Sequence, residues 1–139
     1  MLPLILLLLL LPLSVDSVTT RFHVDTIYTC ALYDRYSVIL QLFNGQQLIS
    51  NTHLHVAVGN SARYSVDGQV TGTKYIDLYL VVHHDCTLRG NRRHVTYRPS
   101  EGTPHPPINI TFSSSSYADL TDMGVESDWP WPDKITNYY

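Results

Sequence analysis

An all-β sandwich is the fold class that this sequence predicts, and three observations carry the prediction. Apolar and polar residues alternate along most of the chain, turn dipeptides punctuate the alternating runs, and no window of about eleven residues holds a helical stripe. The first strand is expected from about Arg21, with Phe22, Val24, Thr26, Tyr28 and Cys30 on one face and Arg21, His23, Asp25 and Thr29 on the other. Val38, Leu40 and Leu42 carry an apolar face to Asn44-Gly45, a dipeptide suited to positive φ. Leu54, Val56 and Val58 then read as inward, opposed by His53, His55 and Ala57. Tyr64 and Val66 precede a second expected turn at Asp67-Gly68.

The strongest strand runs from Tyr75 to about His84, with Ile76, Leu78, Leu80 and Val82 facing in and Asp77, Tyr79, His83 and Asp85 facing out. The same parity turns His84 and Cys86 inward. Short strands near His94–Tyr97, Ile108–Phe112 and Leu120–Val125 bring the expected count to seven or eight, the number and spacing of a sandwich. Pro99 to Pro107, with four prolines and a glycine, reads as an irregular surface loop, and Ser113 to Ser116 as a polar run. Prolines also keep Asp128-Trp129-Pro130-Trp131-Pro132 out of any central strand, so residues 127–139 read as an aromatic, proline-rich tail lying over the surface.

Leu2 to Leu13 is all Leu, Ile and Pro, the apolar core of a signal peptide and too short to span a bilayer. Cleavage is expected after Ser17, which makes residues 1–17 the leader, 18–126 the folded domain and the protein a secreted, extracellular one with no transmembrane segment in the mature chain. Of 139 residues, removing 17 leaves 122, enough for one domain, and losing Asp16 takes the formal charge from −3 to −2. So nearly neutral a chain has no global field for nucleic acid. Its two cysteines, Cys30 and Cys86, sit on inward faces of different strands, and in an oxidising compartment they are expected to form one disulfide stapling two packed sheets.

The run Tyr75-Ile76-Asp77-Leu78-Tyr79-Leu80-Val81-Val82-His83-His84-Asp85-Cys86 resembles the late strand of the nematode transthyretin-like proteins, which ends in His-Asp-Cys. Thr19 to Cys30, Val38 to Phe43, Asp67 to Gly72 and Asp122-Met123-Gly124 look like further landmarks of that family in the same order. Members often carry more cysteines soon after the triplet, and Gly90 to Arg98 has none. The resemblance implies a transthyretin-like sandwich of two antiparallel sheets in a family without a common enzymatic activity. Its members are thought of as carriers or bridging proteins for small hydrophobic molecules, lipids or cell-surface partners.

Asn109-Ile110-Thr111 meets the N-glycosylation rule. Among seven histidines, His53 with His55 and His83 with Asp85 have ligand spacing, but wet polar faces are the favoured reading, and no metal or cofactor is expected. His84 is expected to be a hydrogen-bonded core histidine. Two echoes of 5-hydroxyisourate hydrolases, which share the transthyretin fold, appear at His23-Val24-Asp25-Thr26 and at Tyr97-Arg98-Pro99-Ser100. The second is out of place, because 39 residues follow Ser100, and no nucleophile elbow, phosphate loop or zinc-protease helix supports other catalysis. Arg89, Arg92, Arg93, His94 and Arg98 form a basic stretch suited to anions, against the bland alternative of a solvated loop balanced by Asp119, Asp122 and Glu126. The sequence therefore points to a non-enzymatic binding or bridging protein whose partner is an extracellular protein, an anionic lipid head group or, as the alternative, a small hydrophobic ligand that it carries.

Overall fold

Alternation along the first strand decides the layout, because one face of an 11-residue strand that is apolar throughout must be covered by a second layer. The computed structural model describes residues 18–72, 76–98 and 111–128. β1 (Thr19–Thr29) lies at the centre of a three-stranded sheet between β5 (Ser61–Thr71) and β8 (Thr111–Asp119). The facing sheet is built on β2 (Arg35–Asn44), which pairs with β6 (Leu78–His84) on one side and with β3 (Gln47–Leu48) and β4 (His53–Val58) on the other. β7 (Arg93–Tyr97) and β9 (Val125–Glu126) continue it beyond β6. The fold is thus an all-β sandwich of two sheets, and seven of its strands have five residues or more. No helix among the described residues is long and apolar enough to cross a membrane.

The inward residues of β1 and β6 are those that their parity assigns. Phe22, Val24, Thr26, Tyr28 and Cys30 are buried from one side, and Ile76, Leu78, Leu80, Val82, His84 and Cys86 from the other. Between them stand Val38, Leu40 and Leu42 of β2 and Leu120. The disulfide joins Cys30, just past β1, to Cys86, just past β6, and so ties the two sheets at one end of the sandwich.

Five details differ from the sequence reading, each for a reason of context. β1 and β8 run parallel, with Phe22 beside Phe112 and Val24 beside Ser114, and every other pairing is antiparallel. The serine run lies inside β8 rather than between strands: Thr26 and Ser116 share a hydroxyl–hydroxyl bond of 2.8 Å, and Phe112 stacks on Phe22 at 6.2 Å. Asp67-Gly68 is likewise mid-strand in β5, opposite His23 and Phe22. Gly68 is needed there for close approach, since a Cβ would stand 3.0 Å from both Ile49 and Leu42. The chain instead turns at Gly59-Asn60, between β4 and β5.

β4 has the opposite parity to the expected one. It pairs with β2 so that His55 stands beside Val38 and His53 beside Leu40, which puts the histidines and the fully buried Ala57 on the inward side. Leu54 is then beside Ile39 on the outer face, and Val58 is 69% exposed. An edge strand whose two faces are both half-covered gives alternation little power to choose between them. Finally, Leu120–Gly124 forms a turn rather than a strand, and only Val125–Glu126 pairs with β7.

Candidate functional site

The end of the sandwich closed by the disulfide carries two loops, and one aspartate holds them together. After Cys86 the β6–β7 connection folds tightly: the Gly90 N–H donates to Thr87 O at 3.0 Å, and the Thr87 hydroxyl donates to both Asn91 O and Asn91 Oδ1 at 2.8 Å. Leu88 and Arg89 occupy the tip of this turn and face solvent, Leu88 with 69% of its surface exposed. The second loop, Leu120–Gly124, follows β8. Its Asp122 N–H donates to Cys86 O at 2.8 Å, and its carboxylate accepts the Leu88 N–H at 3.2 Å.

Arg93 completes the junction. Its Nη1 donates to Asp122 O at 2.7 Å and lies 3.1 Å from the carboxylate. Asp122 holds φ at +53°, a left-handed conformation that costs a non-glycine residue energy and is kept only where surrounding contacts enforce it. Here those contacts are one backbone carbonyl, one backbone amide and one guanidinium. Met123, next in sequence, is 49% exposed, while its own carbonyl is anchored from beneath by His84 Nε2–H at 2.9 Å. The other ring nitrogen, Nδ1, accepts the Cys86 N–H at 3.1 Å. His84 is thus the satisfied core histidine that the parity predicts, neutral and with its pKa pushed down, chiefly by burial.

Gly124 lets this loop return to the sheet. Its φ is +90°, and a Cβ there would stand 2.3 Å from His94 O. Gly124→Ala is therefore expected to cost roughly 2–4 kcal/mol, combining a backbone clash with a disfavoured φ. Urea unfolding measures it, and a variant as stable as the parent would show that the loop is not held against β7.

The basic residues do not form one patch. Arg89 is exposed at the turn tip, and Arg92 is half-buried, with its carbonyl accepting the Ser127 N–H at 3.0 Å. Arg93 is spent on Asp122 and stands opposite Glu126 in the β7–β9 pairing. Arg98 lies at the other end of β7, ion-paired with Asp77 and placed over the Tyr79 ring, 5.8 Å from its centre. Of the two readings, balance by acidic neighbours describes Arg93. What the sequence reading missed is the apolar company: Leu88, Met123 and Val125 are 69%, 49% and 62% exposed on the same two loops and β9, and Tyr33 bonds to Thr87 O beneath them at 2.8 Å. The signal was present as Leu and Met set between turn residues, positions where exposed apolar side chains have no packing role.

The histidine pairs do not converge on a metal. His53 and His55 line a small groove of about 130 Å³ between β4 and β5 with Asn51 and Asp67, and the His55 ring stacks on Tyr64 at 4.3 Å. Burial, with His53 beside it, pushes the His55 pKa down. His83 is not on a wet face, as expected, but buried: its Nε2–H donates to Gln41 Oε1 at 2.8 Å, and its Nδ1 accepts from the Ser127 hydroxyl at 2.6 Å. Asp85 instead accepts the Ser37 N–H at 2.7 Å. Among the described residues no cluster of three or more His, Cys, Asp or Glu is arranged to hold an ion.

His23, from the first hydrolase echo, pairs with Asp67 at 2.6 Å on the outer face of the three-stranded sheet, whereas Arg98 is on the outer face of the other sheet. The two are not brought together. Residues 1–17, expected as a leader, the expected loop from Pro99 to Pro107 with Ser100, Asn109, and residues 129–139 lie outside the described residues.

Fold and site define a disulfide-bonded all-β sandwich with an ordered apolar and cationic end. Comparison with known proteins finds no matching family model, no matching curated protein and no matching solved structure.

Proposed function

We propose that this is a secreted, extracellular, non-enzymatic binding protein built on a transthyretin-like sandwich, and that it meets a cell-surface, lipid or protein partner through its disulfide end. The observation that carries the reading is the pair of loops locked by Asp122, which offers Leu88 and Met123 to solvent beside Arg89. Apolar side chains held outward on hydrogen-bonded turns lose little entropy on docking, and an adjacent arginine adds charge-assisted bonds at the rim. The carrier alternative is less well supported, because Tyr28, Leu42, Ile76 and Leu120 fill the space between the sheets.

The test compares the oxidised protein with Leu88→Ser/Met123→Ser and with Arg89→Ala for binding to anionic vesicles, heparin and intact cells. The double variant is expected to lose roughly tenfold or more in affinity for whichever surface binds the parent, since an apolar anchor at an interface centre contributes about 1–2 kcal/mol. Arg89→Ala should mainly reduce the salt dependence. Unchanged binding by both variants, with circular dichroism like the parent's, would remove the disulfide end from the function.

A further inference from the structure

The outer face of the larger sheet carries a groove whose layout follows from strand register. Val81 stands between Gln41 on β2 and Thr96 on β7, forming one row across the sheet. One row along, His83 and His94 form a wall, their ring centres 5.7 Å apart. One row the other way, Phe43 and Tyr79 form the opposite wall, stacked at 5.3 Å with planes 8° apart, and Arg98 backs the Tyr79 ring. Rows two residues apart are separated by about 7 Å, so the walls stand about 13 Å apart and the groove runs across the strands. Its volume is about 370 Å³, and Asp128 lines it at the β7 side.

The chain itself leads into this groove. Ser127 is fixed twice, by its N–H to Arg92 O and by its hydroxyl to His83, so Asp128 leaves from beside the imidazole wall. The next four residues are Trp129-Pro130-Trp131-Pro132. A residue before proline is restricted to extended backbone, and a proline-punctuated segment with large rings is what an aromatic-walled groove accepts at low entropic cost. With His83 and Gln41 bonded to each other, the His94 imidazole and the Thr96 hydroxyl are the groove groups that match the single N–H donor of an indole. We propose that the groove is the docking site of this chain's own Trp129–Pro132 segment, which covers the outer face of the larger sheet.

The chain has two tryptophans, Trp129 and Trp131, so tryptophan fluorescence reports on this segment alone. In the full-length oxidised protein the expected emission is blue-shifted from that of the unfolded chain and protected from acrylamide. Thr96→Arg, at an exposed groove position, and Val81→Arg, at its centre, should shift emission to the red and raise quenching towards the unfolded value while leaving far-ultraviolet circular dichroism unchanged. If Val81→Arg fails to fold, Thr96→Arg alone decides. Native emission like that of the unfolded chain, or emission indifferent to a folded Thr96→Arg variant, overturns the proposal. A blue shift that disappears on dilution also overturns it, since the segment would then be docking on a second copy.

Discussion

Replacing both cysteines, as Cys30→Ala/Cys86→Ala, is expected to lower the stability of the oxidised protein by about 4 kcal/mol, the loop-closure entropy of a bridge between residues this far apart in sequence. The bridge joins positions 56 apart, so it removes a large share of the unfolded chain's freedom. It ties β1 to β6, strands of different sheets, and both cysteines have no exposed surface. In a domain of this size, whose total margin is of order 5–15 kcal/mol, the loss shows as a much lower urea midpoint with a similar slope. It reaches the candidate site as well, because Cys86 O is the acceptor that fixes Asp122, and Asp122 fixes both loops. The variant should therefore lose partner binding at temperatures where its circular dichroism is still native. A stability loss below about 1 kcal/mol would show that the cross-link does not constrain the unfolded chain as its loop length requires.

How far the sequence discloses this arrangement depends on how one-sided each strand's burial is. β1 and β6 each bury one face completely, so a slip of one residue would expose every core side chain, and their alternation fixes both the inward residues and the position of the two cysteines. β4 escapes the same logic, because β2 is buried on both faces from Tyr36 to Leu42 and an edge strand beside it can dock apolar residues on either side. Ser113–Ser116 escapes because serine has weak strand preference, and only pairing with β1, some 90 residues distant, makes it a strand. The site was half legible. Arg89, Arg92 and Arg93 stand out by proximity in sequence, yet what Arg93 does is set by Asp122, 29 residues later, and the apolar half of the surface comes from two loops that meet only in the fold. The sequence marks Asp122 only as one of three acids that balance the basic stretch; its left-handed backbone and its hold on the Leu88 N–H come from the fold.

Acid should destabilise the fold through its two buried histidines. His83 and His84 are neutral in the folded chain, each donating from Nε2 and accepting at Nδ1, so a second proton on His84 would place a donor against the Cys86 N–H, and one on His83 would oblige the Ser127 hydroxyl to turn from donating to accepting. Burial, with His94 and His84 as further cationic neighbours on protonation, pushes the His83 pKa down to about 4; burial also lowers that of His84. As pH falls below the ordinary 6.5, the unfolded chain takes up protons that the folded chain resists, so the unfolded state binds more protons and stability falls. Stability is therefore complete above about pH 6.5, declines through the window down to about pH 4 and levels off below the folded value. The loss attributable to His83 is of order 2–3 kcal/mol. Urea midpoints across this window measure it, with His83→Gln as the comparison: that variant keeps a polar group in the site but does not titrate, so its profile should be flatter. A parent profile that is level from pH 7 to pH 4 would contradict neutral burial of these rings. Protonation leaves the His84 Nε2–H bond to the Met123 carbonyl in place, and the contact it removes is the acceptor of the Cys86 N–H, beside the disulfide.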